Sequence, residues 1–302
     1  MSEFEEIKKR LLAKKQEPPP SSNRDFLSTG STLLNLACSG RPNGGFSKGT
    51  YCFLVGDSAS GKTFLSLTCL AEAALSPHFK DHRFIHDDVE GGARMDFAEF
   101  FGQAMVDRLE APSSNSSSAT IEGFFFNMDT AFEAGKPFIY VLDSMDALTT
   151  EEEDQRFQEK KRGKPVAGSY GTAKAKANSA GIRRIIPKLQ ETGSILIVIS
   201  QTRDSLSSYG PSKTRSGGHA LRFYATLEIW SSIKGRIKRG VKGKDRQVGI
   251  QALVQVKKNR LTGQESEVLI PIYRRYGIDD MGSMVGYLVD EGHWSNKKGI
   301  IE

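Results

Sequence analysis

The chain has 302 residues, 38% of them hydrophobic, enough for one large α/β domain with appendages and a real core. No apolar run approaches a membrane span and the charged start Met1-Ser2-Glu3 lacks a secretory apolar segment, so the reading is a soluble cytoplasmic protein with no membrane partner. Lys plus Arg number 42 against 36 Asp plus Glu, a formal +6 too mild to name a polyanionic partner by itself.

Residues 2–16 read as a short helix: Ser2 caps it, Glu5 follows three positions later, and Phe4, Ile7 and Leu11 form one apolar stripe. So short a helix must dock on something to persist. Pro18-Pro19-Pro20-Ser21-Ser22 tethers it through a semi-rigid extended spacer. Residues 1–25 are therefore set apart as an oligomerisation helix and linker, with packing back on its own domain as the alternative, and 26–302 as the folded body. Within that body Ser28-Thr29-Gly30 leads into a helix around 31–37, and Gly40 to Gly45 is a turn cluster.

The run Tyr51 to Val55 is strand-like, and Gly56-Asp57-Ser58-Ala59-Ser60-Gly61-Lys62-Thr63 behind it matches G-x-x-x-x-G-K-[ST]. Small residues let successive backbone N–H groups curl around a polyphosphate, and the helix starting near Gly61 adds the positive end of its dipole. Lys62 would reach the β- and γ-phosphates of a nucleoside triphosphate and Thr63 would hold Mg²⁺. A plain glycine-rich turn is the alternative. The following helix runs to about Leu75, before Pro77, and a strand covers 83–87, ending in Asp88-Val89-Glu90-Gly91-Gly92. Met95, Phe97, Phe101, Met105 and Leu109 predict one further helix, and 113–120 a flexible polar loop. Two core strands follow, Phe138 to Leu142 and Ile195 to Ile199. Strands alternating with helices predict a mostly parallel sheet covered on both faces. Beyond Ala220 the pattern turns to strands at 225–230, 247–257 and 267–273, extending that sheet in part antiparallel, with 235–243 as a basic hairpin tip. Cys38, Cys52 and Cys69 read as small buried apolar residues in a reducing compartment.

Asp143, at the end of an apolar strand, is the expected second acid for the Mg²⁺ shell. Asp88 and Glu90 are candidates to activate water, Glu90 favoured because it lies further past its strand, with Asp88 open to a turn-capping role. Gln201 ends another core strand with a neutral amide able to sense the γ-phosphate. Basic clusters lie at 160–184, 203–222 and 234–258, either a polyanion face or a solvated charged surface.

Six segments in order resemble the core of the RecA and RadA family of homologous-recombination ATPases: Leu27 to Ser31, the phosphate loop, Asp88 to Gly91, Val141 to Ser144, Ile199 to Arg203, and Gly217 to Ala225. Val256-Lys257-Lys258-Asn259-Arg260 and Tyr276-Gly277-Ile278 match near the end, so the likeness spans roughly 27–300. The resemblance implies an α/β RecA-like P-loop core and a DNA-dependent ATPase that forms helical filaments on single-stranded DNA and pairs it with a homologous duplex. Single-strand-binding or mediator proteins would be further partners. Glu90 would be the water-activating carboxylate, Gln201 the switch, Lys258 and Arg260 the pair reaching a neighbour's ATP, and Tyr276 the adenine-stacking ring. Phe223 would anchor the filament interface, with a core aromatic as the other reading. Two flexible segments would bind DNA. The first, 150–177, holds Arg162, Lys164, Lys174 and Lys176, with Ser179 and Arg183 on the next helix sharing a face with Lys176; the second, 203–218, holds Arg203, Lys213 and Arg215.

Three features depart from the family pattern: the acidic run Glu151 to Asp154, His86 and Asp87 in the strand before Glu90, and an end at Glu302 about where a bacterial RecA would begin its C-terminal domain. That compactness resembles phage-encoded members, which would act in a host cytoplasm. The rival functions are a helicase- or packaging-type motor on the same fold, and an ATP-switched mediator or annealing protein.

Overall fold

A strand buried on both faces needs an unbroken apolar run with large side chains alternating between two layers, and the central strands of this chain have it. The computed structural model describes residues 25–112, 116–163, 172–204, 213–215, 218–241, 243–297 and 300–301. Strands β1 (Phe26–Leu27) and β2 (Phe46–Ser47) pair antiparallel as a small separate ladder. The main sheet comprises β3 (Tyr51–Gly56), β4 (Arg83–Asp88), β5 (Leu109–Glu110), β6 (Phe138–Asp143), β7 (Ile195–Asp204), β8 (Lys213–Arg215), β9 (Leu227–Val241), β10 (Lys244–Asn259), β11 (Ser266–Tyr273) and β12 (Gly277–Ile278). Their order is β12-β11-β10-β9-β3-β7-β6-β4-β5, with β8 folded back on β7. Pairings from β9 to β5 are parallel, and those from β9 to β12 antiparallel. The expected sheet, extended by antiparallel strands, is present.

Alternation divides the core into two layers. Cys52, Leu54, Val141 and Ile197 face the helices Thr32–Ser39 and Lys62–Leu75 through Leu34, Leu67 and Leu70. Phe53, Tyr140, Leu142 and Val198 face the helices Ile121–Glu133, Thr172–Thr192 and Gly218–Tyr224 through Phe124, Met128, Ile185 and Leu221. Each fully buried ring or branched chain of this kind contributes about 1.5–3 kcal/mol. The three cysteines are free and buried, as read from sequence, and burial pushes the Cys52 thiol up to about 12. Among the described residues no helix is long and apolar enough to cross a membrane.

The structure corrects several local expectations. The helix expected through 95–109 is two short ones, Phe97–Phe101 and Gln103–Val106, followed by β5, because Gly102 lies between them at φ 82° and ψ 151°, outside helical space. Helix Ile121–Glu133, capped by Thr120, has no counterpart in the sequence reading. The basic stretch 235–241 is strand, not hairpin tip, since β9 continues to Val241. The segment expected as the first DNA loop is helical at both ends: Thr150 caps helix Glu151–Lys161 in a capping box with Glu153, and the next helix begins at Thr172, placing Lys174 and Lys176 on it. The acidic run Glu151 to Asp154 is that first helix's opening turn, where four carboxylates complement the dipole.

Candidate functional site

The groups that carry chemistry meet at the carboxyl ends of the parallel strands, the edge at which open α/β sheets bind ligands. Gly56 closes β3 level with Gln201 on β7 and Ser231 on β9, and Asp88 on β4 is level with Asp143 on β6. At Gly56 a Cβ would lie 2.1 Å from the Ser231 carbonyl oxygen, so the turn out of β3 requires glycine. The loop then curls through Ala59 at φ 58° and is braced by Ser60 Oγ donating to the Asp57 carbonyl at 2.8 Å.

Lys62 opens the helix and is buried; its ammonium donates to the carbonyls of Gly56 (3.0 Å) and Asp57 (2.6 Å). Burial lowers its pKa, opposed by the charges of Asp143, Glu90, Asp57 and Asp146. Thr63 Oγ1 donates to Asp143 Oδ2 at 2.6 Å. Burial raises the Asp143 carboxyl to about 6; Glu90 and Asp88 push the same way, against the Thr63 bond and Lys62. A cation would reverse that penalty, and a hydroxyl beside a carboxylate is the hard oxygen set that Mg²⁺ takes when phosphates and water complete its shell. Among the described residues no group of three or more His, Cys, Asp or Glu could hold a metal without such help.

The two candidate acids do different things. Asp88 accepts the backbone N–H of Gly92 (3.2 Å) and Ala93 (3.1 Å), the turn-capping role. Glu90 Oε1 accepts from Ser144 Oγ and from Gln201 Nε2 (2.9 Å), facing into the site. Asp87 explains its own presence in the strand: fully buried, it accepts from Ser118 N (2.8 Å), Ser118 Oγ (2.6 Å) and Tyr140 OH (2.7 Å). Strand β7 is held at three points, by Gln201 Nε2 to Glu90, by Gln201 N, which donates to Asp146 Oδ2 at 2.7 Å, and by Thr202 Oγ1, which donates to Asp57 Oδ1 at 2.5 Å. The Thr202–Asp57 pair was not read from sequence, since nothing in the spacing of two polar residues 145 positions apart announces it.

Beside the loop lies a cleft of about 510 Å³ lined by Ala59, Phe64, Arg236, Ile250, Ile272 and Tyr273. Tyr276 is 78% exposed in the turn after β11. Tyr273, three positions earlier, is the tyrosine that lines the cleft.

The model of the RecA N-terminal domain family matches residues 10–279. The chain belongs to the RecA family. Among its relatives, Protein RecA of Fusobacterium nucleatum subsp. nucleatum is 27% identical over 285 residues, covering 91% of this chain and 68% of the relative. Protein RecA of Allochromatium vinosum is 27% identical over 288 residues, covering 92% and 75%, and that of Parvibaculum lavamentivorans 30% identical over 283 residues, covering 92% and 68%.

Of the other residues expected from the RecA pattern, Lys258, Arg260 and Phe223 lie away from the loop. Lys258 and Asn259 pair with Glu228 and Leu227, and Leu227 with Cys52, which puts Lys258 and Arg260 at the amino edge of the sheet, opposite Gly56. There Lys258 Nζ donates to the carbonyls of Arg222 (2.5 Å) and Phe223 (2.8 Å), and Arg260 Nη2 to that of Phe223 (2.6 Å). Phe223 is 63% exposed, edge-on to Tyr224 and beneath the Arg260 guanidinium, so it is not a core ring. Arg162 caps the helix Glu151–Lys161, and Lys176 and Arg183 are exposed on the helix Thr172–Thr192, where Arg183 Nε donates to the Ser179 carbonyl. Arg203, Lys213 and Arg215 lie in the β7–β8 ladder, where Arg215 pairs with Thr202. Lys164, and Phe4, Ile7 and Leu11 of the expected N-terminal helix, lie outside the described residues.

Proposed function

We propose that this RecA-family chain is an ATP- and Mg²⁺-dependent, DNA-stimulated recombinase that forms filaments on single-stranded DNA and pairs it with a homologous duplex. The observation that carries the reading is the division of the machinery between two edges of one sheet. Loop, acid and sensing amide stand at the carboxyl edge, while Lys258 and Arg260 stand at the amino edge, out of reach of their own loop. A head-to-tail contact joins unlike faces and, where its rotation does not close into a ring, propagates as a helix in which each subunit's cations serve the next subunit's loop. Phe223, exposed beside those cations, is suited to the same contact, and the stripe Phe4, Ile7 and Leu11 of the N-terminal segment is assigned a second one.

In this reading the loop N–H groups and Lys62 hold the triphosphate, and Tyr273 or Tyr276 covers the base. Thr63 and Asp143 hold Mg²⁺, which neutralises charge developing on the phosphate oxygens. Glu90 orients and deprotonates the attacking water, and Gln201, bonded to it, reports its position to β7 and β8. Arg162, Lys164, Lys176, Ser179, Arg183, Arg203, Lys213 and Arg215 bind DNA phosphates without reading sequence, so affinity falls steeply with salt.

The test is ATP hydrolysis with and without single-stranded DNA, and electron microscopy with a non-hydrolysable analogue. DNA-stimulated turnover and helical filaments are expected; no stimulation and no filament would refute the reading. Glu90→Gln should lower turnover by about 10²–10⁴-fold while filaments still form. A mediator that uses ATP only as an assembly switch would be indifferent to that change.

A further inference from the structure

In a parallel sheet each strand's backbone N–H groups are taken up by the neighbours on its two sides, and strand β7 outruns its neighbour β6. Their pairing ends at Leu142 with Val198, whereas β7 continues to Asp204 and still pairs with β3 at Gln201 with Gly56. Past Asp143 the chain of β6 turns off into a short 3₁₀ turn, Met145–Ala147. From that turn the Asp146 carboxylate reaches back across the gap. Its Oδ2 accepts the Gln201 backbone N–H at 2.7 Å, from a residue 55 positions away in sequence.

Satisfying a strand end does not explain this bond. The contact is only part-buried, so water could take up the same N–H. A carboxylate is also an unfavourable choice of acceptor here. Lys62 already has the charges of Asp57, Glu90 and Asp143 around it, and that of Asp146 adds to theirs. A site that takes a polyphosphate is made worse by one more negative group.

What the bond does is hold one particular residue. Gln201 is gripped at both ends, its main chain by Asp146 and its side-chain amide by Glu90 at 2.9 Å. Glu90 Oε1 also accepts from the hydroxyl of Ser144, two positions before Asp146, so one short stretch of chain sets both the acid and the amide bonded to it. A carboxylate acceptor makes the Gln201 bond one of the shorter, stronger kind, fit to fix a strand end that has lost its ladder partner. We propose that Asp146 is a positioning residue for ATP hydrolysis: it fixes the Gln201 main chain and, through the Gln201 amide, the aim of Glu90 at the attacking water. This rests on the ATPase reading above and adds a carboxylate that the sequence reading did not single out.

The test is the kinetics of ATP hydrolysis, with saturating single-stranded DNA, for wild type, Asp146→Ala, Asp146→Asn, Gln201→Ala and the double variant Asp146→Ala with Gln201→Ala. Asp146→Ala should lower kcat about 10–100-fold, as a displaced catalytic group does, with KM for ATP no higher than in wild type. Asp146→Asn, whose amide oxygen accepts the same N–H, should recover kcat to within about threefold of wild type. In the Gln201→Ala background Asp146→Ala should cost less than about threefold more, because Asp146 works through a side chain no longer there. Asp146→Ser, polar but too short to reach β7, should match Asp146→Ala and takes its place if the alanine protein does not fold. The same full loss in both backgrounds, an asparagine variant as impaired as the alanine one, a raised KM at constant kcat, or an unchanged kcat in Asp146→Ala each overturns the proposal while leaving the ATPase reading intact. A wild type that hydrolyses no ATP overturns both.

Discussion

His82 packs on the Phe79 ring with centroids 4.8 Å apart and is only 6% exposed. Burial, with Lys48 and Arg108 adding to it, pushes its pKa down to about 4. A folded pKa below the unfolded value means that the unfolded chain takes up a proton that the native state refuses. The neutral ring's stability is therefore fully present above about 6.5 and is lost as pH falls towards 4. That window is worth on the order of 2 kcal/mol. His82→Leu should flatten the fall in Tm between pH 7 and pH 4.5, a comparison made by thermal melts at both pH values; parallel wild-type and variant curves would exclude the role. At this scale the sequence was legible where one residue type has one use, as with Gly56, Lys62 and Thr63. It was not legible between Asp88 and Glu90, because two carboxylates at one strand end look alike until the amides of Gly92 and Ala93 are seen to claim the first. Likewise a charged Asp87 inside a core strand makes sense only once Ser118 and Tyr140 are beside it.

Among the elements, the strands with unbroken apolar runs were read correctly because burial on both faces leaves no room for polar residues. Helix Ile121–Glu133 was missed although Phe124, Met128 and Ala131 repeat at helical spacing behind the capping Thr120. Its Phe124-Phe125-Phe126 run and Gly123 have poor helix propensity, and packing against Ile185 and Leu189 overrides that. The stretch 235–243 was mistaken for a tip because glycines at 235, 240 and 243 mimic turn chemistry, whereas the ladder continues through the first two. The β7 element yields a prediction of its own. Thr202→Val removes the hydroxyl bonded to Asp57 at nearly constant volume, leaving the loop, Glu90 and Gln201 in place. A hydrogen bond to a charged group is worth about 1.5 kcal/mol, so DNA stimulation of hydrolysis should drop roughly tenfold while the DNA-free rate holds. Equal stimulation in both proteins would discard the link.

For the molecule as a whole, the opposite placement of Gly56 and Lys258 predicts complementation between two inactive proteins. In the proposed head-to-tail assembly, Lys62→Ala would spoil a subunit's own loop and Lys258→Ala what it offers its neighbour. Mixed in equal amounts and assembled at random, they should restore about a quarter of the wild-type hydrolysis rate, because that share of contacts pairs an intact loop with an intact lysine. Activity no higher than that of either variant alone would mean that the site is complete within one subunit. The split also explains why sequence alone could name the parts of the site without locating them: one face is defined by strand ends, the other only by the register of an antiparallel ladder.

Gln201 and Thr202 are consecutive residues of one unbroken strand, so their side chains leave it in opposite directions, one gripped by Glu90 and the other by Asp57. Releasing either grip alone leaves the strand pinned from the other side. With the Gln201 N–H also donated to Asp146 at 2.7 Å, three separate carboxylates hold the carboxyl end of β7, so displacing Glu90 or Asp57 alone leaves two of the three holds intact.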